Sequence, residues 1–424
     1  MNKGATWGKW DLHIHTPASY EWRGGRRLRD ITSADERKAL LREVIEGINA
    51  SECVAVALMD YWTFDGIIAL RDYLAQSDAI ACKATIFPGM ELRMVSPGDF
   101  RLNMHVLLNP TLSTEKLQAF KAQIRLSVTG KPLTDEYLIE FAREHISEQR
   151  LSELGTSKAN VLGSKAAALD AASKTAEVTP DSVITALELF GHSEAILFIP
   201  FDTNDGVKKI RFREHHAFPT ELLAMEAIFE VSNPGTRDAF SGIETEANKA
   251  YFHEFQEAIK LPKLAVRGSD AHAISEYGKF PSGRITWIKA SPTFEGLLQA
   301  CKEPANRSYV GSLPPKVDFV AKNPHLFIDS VQIRKRPNSP ELGTWFEGTN
   351  LPLNQDLVAL IGRKGSGKSA LADVLGLLGD TPNGRHFSFL SEHRFRLPKD
   401  NKAASFEAQL NWRQNTKAPE WRQL

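Results

Sequence analysis

At 424 residues, with 42% hydrophobic side chains, the chain is long enough for two or three domains and a large core, which excludes disordered, fibrous and membrane-spanning classes. Lys+Arg 52 balance Asp+Glu 52, so no global field draws the protein to nucleic acid or lipid, and only a local basic groove could do so. Cys53, Cys82 and Cys301 are scattered without C-x-x-C spacing, which argues against a disulfide framework and a structural zinc cluster and points to a reducing compartment.

The opening Met1-Asn2-Lys3-Gly4 carries no apolar h-region and no later apolar run reaches membrane-spanning length, so a cytoplasmic protein without a membrane partner is expected. Asp11-Leu12-His13-Ile14-His15 then reads as a short strand. Residues two apart on a strand point the same way, so His13 and His15 can reach one metal ion. Arg23 to Arg29 is a Gly/Arg-rich loop whose Arg23, Arg26, Arg27 and Arg29 could guide a phosphate backbone, although a solvated loop is the simpler reading. Ser33 with Glu36 three residues on predicts a helix start, and Leu40, Leu41, Val44, Ile45 and Ile48 supply its apolar face.

Cys53 to Met59 is a continuous apolar run typical of a buried parallel strand, ending at Asp60-Tyr61, and a helix from about Phe64 to Ala75 follows. The pattern repeats. Ala84 to Met90 ends at Glu91, Leu102 to Met104 leads to His105, and each strand is expected to close on a metal-type residue. Residues from about 111 to 193 form a polar helical insert, with helices near 134–151 and 181–190 and a Ser/Ala/Lys-rich segment, Gly155 to Ala176, expected as a lobe or lid. Strands resume at Ala195 to Phe201, ending at Asp202, and at Ala224 to Val231, ending at Ser232-Asn233. A helix over 244–259 precedes Lys263 to Arg267, which runs into Gly268-Ser269-Asp270-Ala271-His272.

About seven strands alternating with helices predict an α/β fold with parallel strands, and converging candidate ligands favour a closed barrel over an open sheet. Gly283 to Lys289 reads as an edge strand, followed by a helix over 293–302 and a domain boundary at Leu313-Pro314-Pro315. Beyond it, His325 to Arg334 and Leu357 to Ile361 read as strands. The second delivers Gly362-Arg-Lys364-Gly365-Ser-Gly367-Lys368-Ser369 and a helix over Ala370 to Leu378. That spacing is a phosphate loop: the glycines let N–H groups wrap the phosphates, Lys368 reaches the outer ones and Ser369 ligates magnesium, which makes ATP with Mg the expected cofactor. From Ala370 to Leu424 no four-residue apolar run ends in Asp or Glu, so the ATPase is expected to be cut short, in a fragment of a longer chain.

His13, His15, Glu91, His105, Asp270 and His272 are the candidate metal ligands, with Asp11, Asp60 and Asp202 as supporting or substitute groups. Imidazole mixed with carboxylate suits Mn, Zn or Fe rather than calcium, and a carboxylate such as Glu91 or Asp270 can bridge two ions. Ions so held would activate a water and neutralise phosphate oxygens. His13, His15, Glu91, Asp270 and His272 are therefore the candidate catalytic residues.

The order Asp-Leu-His-Ile-His, Asp60, Glu91, His105 and Gly-Ser-Asp-Ala-His resembles the PHP (polymerase and histidinol phosphatase) family over residues from about 8 to 312. The resemblance implies a distorted seven-stranded (β/α) barrel with up to three metals at its C-terminal mouth, hydrolysing phosphoesters in small molecules or nucleic acids. Trp287-Ile-Lys-Ala-Ser-Pro-Thr-Phe-Glu-Gly-Leu-Leu, followed by the phosphate loop, is similar to TrlF-type proteins, in which a PHP domain precedes an ABC- or SMC-like ATPase; related fusions occur in bacterial antiphage defence. This implies a PHP domain at 1–312 and the start of a P-loop ATPase at 313–424, with a homo-oligomer assembled through the ATPase. The sequence departs from the family at Tyr61, at Glu21 and at Ile199, where usual ligands are replaced. His13, His15, Glu91 and Asp270 would still complete one site, whereas those using His105 and His272 have lost partners. The expected function is a metal-dependent phosphoesterase, a nuclease on nucleic acid or nucleotides, gated by the ATP-binding domain. The alternatives are a degenerate barrel serving as a binding module and a small-molecule phosphatase.

Overall fold

The computed structural model describes residues 3–97, 101–191, 193–210, 217–339, 348–400, 402–414 and 419–424. Met1 and Asn2 of the opening and position 192 of the expected insert lie outside them. The chain forms two compact units, Trp7–Pro314, and Met1–Thr6 with Pro315–Leu424.

The larger unit is built on nine strands: β1 (Trp7–Ile14), β2 (Ala55–Leu58), β3 (Thr85–Met94), β4 (Leu102–Leu108), β5 (Ala195–Pro200), β6 (Ala227–Glu230), β7 (Ala265–Val266), β8 (Ile285–Lys289) and β9 (Ser308–Gly311). Their order is β7-β6-β5-β4-β3-β2-β1-β8-β9. β1 to β3 are parallel, as are β5 to β7, but β4 runs antiparallel to both neighbours. The all-parallel seven-stranded barrel is thus corrected to a mixed, nine-stranded one. Residues 95–101 are too few for the dozen or so that a parallel crossover needs, so β3 must turn straight back into β4.

The barrel nearly closes. Beyond β7 the chain runs beside the end of β1, where Asp270 N–H donates to His13 O and His15 N–H to Ala271 O, both at 2.9 Å. β8 pairs with the first half of β1 and is covered by β9, so it is internal rather than the expected edge strand. Trp10, Ala57, Phe87, Leu107, Ile228 and Val266 from different strands share one buried cluster with Phe294 and Leu297, the apolar interior of this nearly closed sheet. The helix Ala34–Ala50 packs outside, its N-cap Ser33 accepting from Glu36 N–H, with Leu40, Leu41, Val44, Ile45 and Ile48 buried as expected. Each such side chain contributes about 1.5–3 kcal/mol over leaving it in water.

Gly155 to Ala176 is not a lid. Val161, Ala168, Ala171, Ala172 and Ala176 are fully or almost fully buried, and the Ser173 carbonyl accepts from Trp62 Nε1 (3.1 Å) and Arg93 (2.8 Å). Alanines at helical spacing make a flat face that lets helix Lys165–Ser173 sit close to its neighbours. The helix expected over 244–259 starts only at Phe252, because the buried Asn248 amide holds the preceding turn, accepting from Thr245 N–H and donating to Gly235 O and Ile243 O.

The smaller unit carries an antiparallel sheet, β11-β10-β12-β13, of β10 (Ile328–Lys335), β11 (Thr349–Pro352), β12 (Phe406–Trp412) and β13 (Arg422–Gln423). Helix Lys368–Leu378 lays Leu371 and Val374 onto a core with Val331, Ile333 and Phe406. The strand expected at Leu357 to Ile361 does not form, and Leu357 and Ile361 are 88% and 90% exposed. An apolar run becomes a strand only where a neighbour takes up its N–H and C=O groups, and among the described residues no strand pairs with it. In the loop that follows, Gly365 and Gly367 adopt φ of 88° and 90°, the left-handed turn that makes successive N–H groups converge. Lys364 and Ser369 are exposed, and Lys368 Nζ folds back to donate to Gly362 O (2.6 Å) and Arg363 O (2.9 Å).

Candidate metal centre

β1 does not alternate regularly. Three steps from Asp11 to Ile14 lie beside two from Val56 to Leu58, and this extra residue re-aims the strand's last side chains. Trp10 and Leu12 can then join the apolar interior while His13 also turns inward, its ring edge-on to Phe198 at 6.3 Å. Phe198, level with His105 on the adjoining strand, is the apolar floor of the site. Asp11 belongs to neither donor group found among the described residues: its Oδ1 accepts from Ser269 N–H (3.0 Å), binding the Gly268–His272 segment to β1.

Glu91 and His105 face each other across β3 and β4 in mid-strand, not at strand ends as expected, because pairing continues to Met94 and Leu102. Glu91 Oε2 lies 3.3 Å from His13 Nε2 and 3.4 Å from His15 Nε2; Oε1 lies 3.2 Å from His105 Nε2 and accepts from Asn103 (2.6 Å). Asp270 holds a left-handed φ of 55°, and its Oδ1 comes within 3.4 Å of His13 Nε2 and 3.6 Å of His15 Nε2.

These atoms fit a cation. A tetrahedral ion with bonds of about 2.0–2.2 Å sets its ligand atoms roughly 3.3–3.6 Å apart, and the separations from His13 and His15 to Glu91 and Asp270, four of the six among these residues, are 3.3, 3.4, 3.4 and 3.6 Å. The buried His15 Nε2 makes no aligned hydrogen bond, nor does either nitrogen of His105. Two donor groups can be drawn among the described residues, His13-His15-Asp270 and His13-Glu91-His105, and both use His13. Neutral imidazoles with two carboxylates suit Zn, Mn or Fe.

Charges at the site act in both directions: two charged carboxylates favour a cation, whereas the metal-free His13 keeps a proton that an ion must displace. Burial alone would depress the His13 imidazolium, but Glu230, Asp270 and Glu91 override it and hold its pKa well above the usual 6.5. Burial takes His15 down to about 4, so it stays a neutral donor. Burial would raise Asp270 and Glu91, yet His13 holds Asp270 at about 2, and His105 and His13 hold Glu91 well below its usual range. Both carboxylates are therefore charged.

Glu230 was not legible in the sequence. It ends β6, and its Oε1 sits 3.3 Å from His13 Nδ1, the partner that fixes the ring with Nε2 turned to Glu91 and Asp270, where it would serve as a metal donor. Glu230→Gln is expected to weaken metal affinity ~10–100-fold. In the parent an ion must displace the His13 proton, so affinity should rise about tenfold per pH unit up to the raised His13 pKa and then level off. In the variant that plateau starts at lower pH. The metal-free fold behaves oppositely: the stability His13 adds is full below its unfolded pKa and lost as pH rises through the folded value. Metal titrations at several pH values, with proton release recorded, check both.

The remaining candidates are placed as follows. His272 belongs to neither donor group; its ring lies 4.1 Å from that of His15 and its Nδ1 is 2.8 Å from Asp270 O. Tyr61 stacks on His15 (5.4 Å, 7°), and burial with Glu91 alongside keeps its phenol protonated. Glu21 is no substitute ligand, being paired with Arg93 at 3.0 Å, and Ile199 packs in the outer shell. Asp60 takes both its bonds from Thr16, each 2.6 Å, and Asp202 takes Ser232 N–H. Of the basic loop, Arg26 pairs with Glu43, Arg27 lies 3.6 Å from Asp170 and Arg29 covers Tyr20, while Arg23 lines the cavity over the donors. Arg93, Arg101 and Arg267, which no motif singles out, line it too.

Among the described residues no helix is long and apolar enough to cross a membrane. No family model matches the chain, and no curated protein matches it. Among solved structures it is similar to an amidohydrolase from Chromobacterium violaceum (15% identity, 65% of this chain and 91% of that one, TM-score 0.38). It is also similar to a protein described as a metal-dependent phosphoesterase from Bifidobacterium adolescentis (14%, 63% and 88%, 0.32) and to PsfC from Pseudomonas syringae (14%, 76% and 98%, 0.33).

Proposed function

We propose that the larger unit is a metal-dependent phosphoester hydrolase, acting as a nuclease. The supporting observation is the approach of His13 and His15 to Glu91 and Asp270, beside a cavity of about 160 Å³ lined by His13, Glu91 and Asp270 together with Arg23, Arg93, Arg101 and Arg267. A transition ion held there polarises a phosphoryl oxygen and makes a water more acidic. The chain does the rest. The guanidinium groups attract and orient the anionic ester. Arg93 is held for this by Glu21 and the Ser173 carbonyl, and Phe198 shuts water out from below.

His272 carries the proton in this reading. A carbonyl only accepts, so the contact to Asp270 O puts hydrogen on Nδ1 and leaves a lone pair on Nε2 to take a proton from the nucleophile. His272→Asn is expected to lower kcat ~100-fold or more with little change in bound metal. The test of the function is digestion of DNA, RNA and small phosphoesters by the manganese-loaded protein before and after chelation. Hydrolysis that survives chelation, or none at all, would sink the reading.

The smaller unit is proposed to bind ATP with Mg at Gly362, Lys364, Gly365, Gly367, Lys368 and Ser369, to self-associate through that unit and to gate hydrolysis. Support comes from the converging loop N–H groups at the start of helix Lys368–Leu378 and from a lysine free to leave Gly362 O and Arg363 O for a phosphate. Lys368→Ala should weaken ATP binding ~10-fold or more in a fluorescent-nucleotide titration. Equal affinity in both proteins would exclude this loop.

A further inference from the structure

A cavity of about 160 Å³ is below the ~300–1,000 Å³ of pockets that enclose whole small molecules. It has room for a phosphoryl group, and the remainder of a substrate must lie elsewhere. Arg93 and Arg101 line this cavity and also a second, of about 480 Å³, walled by the helical insert. Arg150 and Lys174 line the second cavity as well, against one carboxylate, Glu177, whose pKa burial raises despite Arg93 and Arg101.

The cations there keep donors to spare. Arg93 is tied through two nitrogens, and its buried Nε has no partner. Lys174 gives one bond to Asp170 and Arg150 one to Glu153, out of three and five N–H donors. An aromatic step stands beside them: the exposed His145 ring is stacked on the buried Phe141 (6.0 Å, 21°). Cations tracking a backbone beside a ring open to stacking are what an unpaired nucleic-acid strand requires. A compact phosphomonoester needs neither.

We infer that the groove between the barrel and its helical insert binds a single-stranded nucleic acid, with Arg101, Arg150 and Lys174 on phosphates beyond the reacting one and His145 under a base. This rests on the hydrolase reading for the reacting phosphate only. The insert is then what sets the substrate, and Arg93, at the junction of the two cavities, links reaction and recognition.

The test compares Arg150→Ala/Lys174→Ala and His145→Ala with the parent, all manganese-loaded, on a twelve-residue oligothymidylate and on bis(p-nitrophenyl) phosphate. Both Arg150 and His145 are exposed and Lys174 half-buried, so folding should be little disturbed. The double variant is expected to raise KM for the oligonucleotide ~10-fold or more relative to the small diester, and to flatten the salt dependence of log KM by about 1.4, the share of two phosphates. His145→Ala is expected to raise the same ratio ~5-fold or more. Equal changes for both substrates overturn the inference. Should the parent cleave neither, the hydrolase reading fails, and fluorescence anisotropy of the oligonucleotide decides the groove: ~10-fold weaker binding by the double variant supports it, unchanged binding overturns it. If inorganic tripolyphosphate competes through Arg150 and Lys174 while His145→Ala alters nothing, the strand assignment is overturned in favour of a polyphosphate.

Discussion

Protein carrying His13→Ala/His15→Ala is expected to hold no tightly bound transition ion where the parent holds about one per chain, because both donor groups among the described residues use His13 and one of them also uses His15. Losing a group that merely supports a ligand costs ~10–100-fold in affinity or activity, so losing two ligands should cost more than ~100-fold in hydrolysis. The double change also strips Glu91, Asp270 and Glu230 of the imidazoles that hold their charges, and breaking such buried pairs costs ~3–5 kcal/mol. Asp270→Asn is therefore the companion variant: it keeps the volume and removes one negative donor. Elemental analysis and hydrolysis should fall together in both. Parent-level metal in either variant would place the ion elsewhere.

Gly268→Ala is the second large effect. A Cβ there would stand 2.3 Å from His13 Cβ, 3.0 Å from Glu230 Oε1 and 3.3 Å from His13 Cα. The nearest of these, His13 Cβ, is fixed to its backbone and cannot yield as a flexible side-chain end could. Either the Gly268–His272 segment moves off β1, breaking the Gly268 N–H to Glu230 bond (3.1 Å) and the Asp270 N–H to His13 bond, or His13 leaves its position. Overpacking of this kind costs ~1–3 kcal/mol, and metal affinity should drop ~10–100-fold, as for other losses of ligand support. Gly163→Ala is the control, since nothing lies within 4 Å of its added carbon. Urea unfolding and metal titration that leave Gly268→Ala at the level of Gly163→Ala would refute the close approach.

Much of the site could be read from local pattern. His13, His15, Glu91 and Asp270 are metal-type residues in or beside apolar runs, and strands bring such residues to one place whether the barrel is parallel or mixed. His105 could be read as well, but not its direction of approach: β4 runs back along β3 because only seven residues separate the two strands, a matter of chain length rather than of strand pattern. Gly155 to Ala176 shows the opposite failure. The segment reads as polar in average composition, yet its alanines are core, since burial depends on what faces them.

By itself the sequence determined the residue types, the approximate strands and the glycine-rich loop, all of which depend on side-chain chemistry and near-neighbour spacing. Only the tertiary structure decided that Glu230 stands behind His13, that Glu21 is spent on Arg93, that Tyr61 lies flat on His15, and that Arg93 and Arg101 join the metal cavity to the insert. Those facts rest on contacts between residues far apart in the chain, 72 positions for Glu21 with Arg93 and 217 for Glu230 with His13, made by register, a strand irregularity and barrel closure, and no local spacing encodes them.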